Sequence, residues 1–265
     1  MSPEDPQSSD LPPAAAAAVE RAHREKDEFL DLVAHELKTP LTPLKTVAQL
    51  IRMRIRRALA GTKELDVPGL EKNAAMIERQ VDRMDRLVTD LLEVSRIARG
   101  RFALRPEPFD VAEVARDVVR RWSEATEDIE QVRHRLDLDA PASLPLTGDR
   151  ERVEHAIADL IGNAVKFSPS GGLVKVQVEG HDGEVAIAVR DQGIGIPASE
   201  IGLLGRAPFA GRERTKDYAG LGIGLYLVRV VAEGHGGRLD LASDGVDRGT
   251  TATITLRDMP QEDQR

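Results

Sequence analysis

The sequence predicts two architectures in one chain: an antiparallel helical hairpin, then a two-layer α/β sandwich. Three observations carry that expectation. Two long stretches, from about residue 15 to 60 and from about 70 to 98, repeat apolar residues at steps of three and four. A Pro- and Gly-punctuated break follows at Gly100 to Asp110, with Pro106 and Pro108 inside it. Beyond it, short alternating stretches interleave with short helical ones. The expected organisation is a disordered tail at 1–13, the hairpin at 14–99, a linker at 100–110, the α/β domain at 111–258 and a second tail at 259–265.

Residues 1–13 are rich in Pro, Ser and Asp. Ala14 to Ala18 then start the first helix with the best helix-forming residue. Its stripe is Leu30, Val33, Leu37, Leu41, Leu44, Ala48, Ile51 and Ile55. A loop with Gly61, Pro68 and Gly69 leads to the second helix, striped by Leu70, Ile77, Val81, Met84, Val88, Leu91 and Val94. One hairpin cannot hide both stripes, so pairing with a second copy into a four-helix bundle is expected, which makes the chain a homodimer.

In the second domain the patterning predicts helices at 110–126, 149–166, 198–204 and 222–234. Strands are expected near 132–138, 144–147, 173–179, 184–190, 237–243 and 250–257, with a loop at 205–220. That order suits one sheet covered by helices on one face.

Composition narrows the function. The chain has 265 residues, enough for two domains. At 41% hydrophobic but only 3% aromatic, its core must be aliphatic. A net charge of −8 argues against nucleic acid as the main partner. With no cysteine there is no disulfide, thiol or cysteine-ligated zinc chemistry, which is compatible with a cytoplasmic location. No stretch approaches the roughly 20 apolar residues of a membrane helix, and no signal peptide opens the chain.

Two groups of residues carry chemistry. The first is Phe29-Leu-Asp-Leu-Val-Ala-His35-Glu36-Leu-Lys-Thr39-Pro40-Leu41. At about 100° per residue His35 sits nearly opposite Val33 and so faces away from the core. Neutral imidazole is a nucleophile at physiological pH. A carboxylate at Glu36 can hold the distal N–H and take its proton. Thr39 lies one turn on, on the same face as His35. Pro40 deletes a helix hydrogen bond and should kink or loosen the helix.

The second group is a series: Asp159-Leu-Ile-Gly-Asn163-Ala-Val-Lys166, then Asp191-Gln-Gly193-Ile-Gly195, then Gly220-Leu-Gly222-Ile-Gly224. Asn163 offers a neutral oxygen suited to Mg²⁺, and Lys166 a point charge to phosphates. Asp191 can accept from an adenine amino group, while Gly193 and Gly195 let the backbone approach the purine. Gly220, Gly222 and Gly224 put backbone amides at a helix N-terminus, a phosphate cradle. The loop between holds Arg206, Arg212, Arg214 and Lys216, of which Arg212 is the leading candidate to meet a γ-phosphate. The order is wrong for a dinucleotide motif, and no Gly-Lys-Ser/Thr makes a Walker loop.

In this order and at these separations the motifs resemble a sensor histidine kinase of two-component systems, over roughly Glu20 to Leu256. The resemblance implies that His35 is phosphorylated by ATP with Mg²⁺, that Glu36 is the general base, and that the phosphoryl group passes to an aspartate of a response-regulator receiver domain. It further implies that Glu36 and Thr39 position a water that dephosphorylates that partner, that Asp191 reads adenine, and that 205–219 is a lid. Such kinases usually carry a sensor upstream. The chain is therefore expected either to take its signal from a partner protein or to be a fragment.

Three positions depart from the family pattern. Asp159 stands where a first asparagine is usual, four residues before Asn163, as does the water-activating glutamate of gyrase-like ATPases; a metal-facing role is expected of it. Leu221 replaces a common hydroxyl residue. Gly205-Arg-Ala-Pro-Phe209 keeps one phenylalanine of the usual two. These departures motivate two alternatives: a degenerate kinase acting as nucleotide-binding scaffold or phosphatase, and a free ATPase.

Overall fold

Helix α1 (Pro13–Leu59) and helix α2 (Val67–Ala98) form the hairpin in a computed structural model that describes residues 13–61, 64–127, 134–208 and 221–259, with the backbone alone for 13–29 and 125–127. The chain divides between Val88 and Thr89 into two compact units. α2 begins three residues earlier than its apolar stripe suggests, because Asp66 caps it: Oδ1 accepts from the Gly69 amide at 3.0 Å. Pro68 then falls in the first turn, where its missing N–H costs nothing. Arg54 of α1 pairs with Asp66 at 3.1 Å, across the hairpin.

Within the first unit, the buried positions are Leu32, Glu36, Pro40 and Val47 on α1 and Leu87 on α2. The seam within one hairpin runs one residue before Val33, Leu37, Leu41 and Ala48. On α1 the expected stripe is half-buried at Val33, Leu37, Leu44 and Ile51 and exposed at Leu30, Leu41, Ala48 and Ile55, in keeping with a hairpin that needs a second copy to hide both stripes. Leu41 is 49% exposed and Val81 51%. The apolar pattern reports the strongest stripe, whereas the contact with α2 selects the seam.

The second unit is built on a five-stranded sheet in the order β2-β4-β5-β7-β6. Its strands are β2 (His134–Asp139), β4 (Gly172–His181), β5 (Glu184–Arg190), β6 (Arg238–Ala242) and β7 (Thr251–Arg257). Only β2 and β4 run parallel; the other neighbours are antiparallel. Alternation puts Val174, Val176 and Val178 of β4 and Val185, Ile187 and Val189 of β5 into the core. Helices α3 (Val111–Glu127), α4 (Arg150–Lys166) and α6 (Gly224–Gly234) contribute Val118, Ile157 and Val231 to that core; α5 (Ala198–Ile201) is one short turn. The expected fold class is thus the observed one.

The expected linker at 100–110 is corrected. Glu107–Asp110 is a strand, β1, paired antiparallel with β3 (Pro145–Gly148). Pro106 and Pro108 disguised it, since Pro is tolerated only in such edge pairings. Upstream, the Arg105 amide donates to Asp149 Oδ2 at 2.9 Å, and the Phe102 ring lies 4.4 Å under the Arg152 guanidinium. Arg152 also meets Glu93 of α2 at 2.6 Å. Although burial, the largest single influence, pushes the Glu93 carboxyl up, Arg152 and Arg96 together hold it below its usual range. Met259, expected to open a tail, donates its amide to the Thr147 carbonyl at 2.9 Å.

His235 is 1% exposed and joins two helices. The Asp149 amide donates to Nε2 at 2.9 Å, so Nδ1 carries the proton and donates to the Val231 carbonyl at 2.8 Å. Asp149 in turn caps α4, accepting from the Arg152 amide at 3.1 Å. Burial lowers the His235 pKa, with the Val231 carbonyl opposing. The unfolded side chain takes up a proton near pH ~6.5 while the folded one stays neutral, so its contribution is complete above that pH and is lost as pH falls through the lowered value. We expect His235→Gln to cost about 1–3 kcal/mol at pH 7.5. The gap to wild type should narrow at pH 5.5, in urea unfolding followed by the single tryptophan, Trp122. An equal gap at both pH values would contradict the assignment.

Candidate functional site

The second unit brings most of the expected site residues to one end of α4 and β5. Asp191 directly follows β5, and its amide continues the ladder to the Thr250 carbonyl at 2.9 Å. Its side chain is 8% exposed. Oδ1 accepts from the Gly193 amide at 2.8 Å and the Thr250 amide at 3.1 Å. Burial raises its pKa, and these two amides oppose the rise. Oδ1 thus fixes the loop, and among the described residues no hydrogen bond is made to Oδ2.

Gly193 is required by close approach. A Cβ there would overlap the Phe167 carbonyl oxygen and lie 2.8 Å from the Ser168 hydroxyl. Its neighbour Ile194 donates to that same carbonyl at 3.0 Å, which lays the loop on the end of α4. Gly195 has φ +62 and abuts the Gly245 carbonyl, where a side chain would collide.

Three residues absent from the sequence-based expectation complete the loop: Ser243, Gly249 and Thr250. The Ser243 hydroxyl accepts from the Ile196 amide at 2.9 Å and sits 2.7 Å from the Gly249 carbonyl, to which it donates. The Gly249 amide donates to the Gly193 carbonyl at 3.0 Å. A Gly-Thr pair entering a strand was the available signal. Only the β5–β7 register, Arg190 opposite Thr251, puts it against Asp191.

Asp159 and Asn163 stand one turn apart on α4, both half-buried. A Cβ on Gly224 would come within 3.2 Å of Asp159 Oδ2, so this carboxylate lies against the first residue of α6. Lys166 closes α4, its ammonium 4.6 Å from the centre of the Phe167 ring. The helix after the glycine series begins at Gly224, with Gly222 in a turn at φ +71. Leu221 and Ile223 are buried, at 4% and 1% exposure. Gly220, Arg212 and the rest of 209–220 lie outside the described residues.

In the first unit His35 and Thr39 are exposed on α1, as the helical period requires. The Thr39 hydroxyl donates to the His35 carbonyl at 3.0 Å. α1 continues through Pro40 and Pro43, which have no N–H for the Glu36 and Thr39 carbonyls. Glu36 is 5% exposed and points into the seam, 3.8 Å from Arg83. No helix among the described residues is long and apolar enough to cross a membrane.

Comparison with known proteins assigns both units. Residues 25–100 match the His Kinase A (phospho-acceptor) domain. Residues 148–260 match the histidine kinase-, DNA gyrase B- and HSP90-like ATPases. The chain is 31% identical over 230 residues to the histidine protein kinase DivJ of Caulobacter vibrioides, covering 86% of this chain and 36% of that protein. It is 28% identical to the sensor histidine kinase WalK of Bacillus subtilis, covering 89% and 37%. The chain therefore spans about a third of the length of these relatives, 36% and 37%. A solved mycobacterial sensor kinase, MprB, aligns over 59% of this chain and all of its own at 28% identity and TM-score 0.50. The Acinetobacter baumannii kinase AdeS aligns over 85% and 98% at TM-score 0.55; at 23% identity that likeness is one of fold.

The Gly193 contact yields a sharp expectation. Gly193→Ala should destabilise the second unit by about 1–3 kcal/mol, because the Cβ meets backbone that cannot yield. Gly202→Ala, whose Cβ meets nothing within 4 Å, should stay within about 0.5 kcal/mol of wild type. Urea unfolding read by Trp122 checks both.

Proposed function

Because the chain belongs to the histidine kinase family, we propose that it is an ATP-dependent protein-histidine kinase that phosphorylates His35. The observation that carries this reading is the pairing, in one chain, of an exposed imidazole on a hairpin with a buried carboxylate, Asp191, to whose Oδ2 no hydrogen bond is made among the described residues. In the reaction the unprotonated ring nitrogen of His35 attacks the γ-phosphorus of ATP. The bond from that phosphorus to the bridging oxygen breaks, and ADP leaves with the electron pair. The proton on the other ring nitrogen passes to a base, for which Glu36 is the adjacent candidate.

In this reading Asp191 Oδ2 accepts from the adenine amino group, and Gly193 and Gly195 admit the purine edge. Gly220, Gly222 and Gly224 offer amides to the phosphates, and Lys166 and Arg212 offer charge. Asn163 and Asp159 would hold Mg²⁺, which supplies charge neutralisation between phosphates. The Asp159 carboxylate beside the side-chain-free Gly224 supports that fit. A hard cation needs only one or two protein oxygens when phosphates provide the rest. Thr39, exposed one turn from His35, would orient water in removal of the phosphoryl group from the partner.

The partner we propose is a response-regulator receiver domain, whose aspartate accepts the phosphoryl group from His35. The outward stripe of Leu41, Ile55 and Val81 supports a homodimer through the hairpin. The dependence on ATP supports a cytoplasmic site of action. An upstream sensor or partner protein would supply the signal.

Incubation with γ-labelled ATP and Mg²⁺ should give acid-labile, base-stable label on wild type and none on His35→Gln. Bound nucleotide without label on either protein would favour the scaffold or phosphatase reading. Phosphate release unaffected by His35→Gln would favour a free ATPase. Asp159→Asn should weaken Mg²⁺ dependence or ATP turnover; if neither changes, Asp159 has no metal role. Asp191→Asn keeps an oxygen for the two amides but puts a donor where Oδ2 was. Burial already raises the Asp191 pKa, so its charge opposes folding increasingly as pH rises past the ordinary carboxylate range. We therefore expect Asp191→Asn to match or exceed wild-type thermal stability at pH 7 while losing about tenfold or more in ATP affinity by calorimetry. Loss of both together would mean that Asp191 serves the fold alone.

A further inference from the structure

The two neighbours His35 and Glu36 stand differently toward solvent, about 100° apart around α1. His35 is exposed, and Glu36 lies on the seam between α1 and α2. Glu36 Oε2 is buried and has no hydrogen-bond partner. Its ion-pair partner is Arg83 of α2, whose Nη2 is 3.8 Å away, beyond hydrogen-bonding range. The carboxylate is thus held by charge but not by a directed bond. A buried carboxylate in that condition depends on its counterion, because losing the cation leaves an uncompensated charge out of water. The backbone around it is also loosely tied. Pro40 cannot donate to the Glu36 carbonyl nor Pro43 to the Thr39 carbonyl. The hydroxyls of Thr39 and Thr42 donate instead to the carbonyls of His35 and Lys38, at 3.0 and 3.3 Å. Such back-bonding bends helices.

Deepening the histidine-kinase reading, on which its chemical consequence rests, we propose that Arg83 is a positioning residue: it holds the Glu36 carboxylate on the seam, away from the His35 ring, and its release lets Glu36 turn out to the ring N–H. Arg83 suits the part because its side chain is 36% exposed while that of Glu36 is 7% exposed. The cation can be drawn off by a competing anion at the surface; the acid cannot leave while the cation stays. Once outside, Glu36 accepts the proton that the ring sheds when its other nitrogen attacks phosphorus. The nucleophile is then permanently exposed, and access to its base is what Arg83 controls.

The test uses the full chain and two readouts. Arg83→Met keeps the apolar stem and removes the charge. It should raise the initial rate of His35 phosphorylation on the order of 3-fold or more. The modification of His35 by diethyl pyrocarbonate, followed by mass spectrometry without nucleotide, should accelerate similarly, since a carboxylate on the distal N–H makes the ring a better nucleophile. Arg83→Lys should behave as wild type in both. In a Glu36→Gln background Arg83→Met should change neither rate, the non-additivity expected of residues acting through one another. Circular dichroism and sizing confirm that each variant folds, and Arg83→Gln substitutes should the methionine variant fail. The inference is overturned if Arg83→Met leaves diethyl pyrocarbonate reactivity unchanged, or shifts it equally with and without Glu36. Wild type that takes no label, with the modification contrast intact, would sink the kinase reading and leave the Arg83–Glu36 coupling standing.

Discussion

A carboxylate taken out of water must be compensated, and each unit of this chain is organised around one that is. Asp191 is 8% exposed and is compensated in part by directed bonds from two backbone amides. Those bonds come from its own glycine loop and from the entry to β7, so one oxygen atom joins two separate pieces of chain. Glu36 is 5% exposed and, among the described residues, is compensated by a cation and not by a hydrogen bond. The first arrangement is rigid, because two short amide bonds fix an angle. The second is less constrained, because a charge at 3.8 Å fixes no angle and, in our proposal, the long Arg83 side chain can leave.

That difference matches what the proposed function would ask of each site. A purine edge is recognised by a preformed constellation, and mobility in the acceptor would cost affinity. The Ser243 knot and the close seat of Gly193 on the end of α4 add to that preformation. A phosphoacceptor has the opposite need. In the proposed function its ring would meet a nucleotide, a receiver aspartate and a water at different times, so the neighbouring base would gain from having more than one position. The proline-interrupted turn after His35 supplies the compliance that a regular helix would deny.

The helices and most strands were legible because their signals are local: apolar period and alternation. Asp66 and Asp149 end up as caps, with the residue type and spacing that caps demand. β1 was illegible because its two prolines look like punctuation, and only pairing with β3 makes Glu107–Asp110 a strand. The hairpin seam was displaced by one residue because it contains Glu36 and Pro40, neither of which registers as core in an apolar count. In the site, Asp191, Gly193 and Gly195 could be read as a compact motif. Ser243, Gly249 and Thr250 could not. They lie more than 50 residues away in sequence, and only the antiparallel register of β5 and β7 brings them to Asp191.

Leu221 shows how the fold reinterprets an apparent defect. As a sequence it reads as a lost hydroxyl in a phosphate-binding turn. In the structure it is 4% exposed and, with Ile223, forms an apolar anchor under the turn that starts α6. A hydroxyl in that buried place would need an acceptor of its own to avoid a cost of about 1–3 kcal/mol. Leucine secures the turn instead by packing. In the proposed function, phosphate recognition in that turn would fall to main-chain amides at the α6 N-terminus, which need no side chain. The Asp159 carboxylate lies against the first residue of that helix, so the proposed Mg²⁺ would stand between it and the phosphates rather than leave like charges facing.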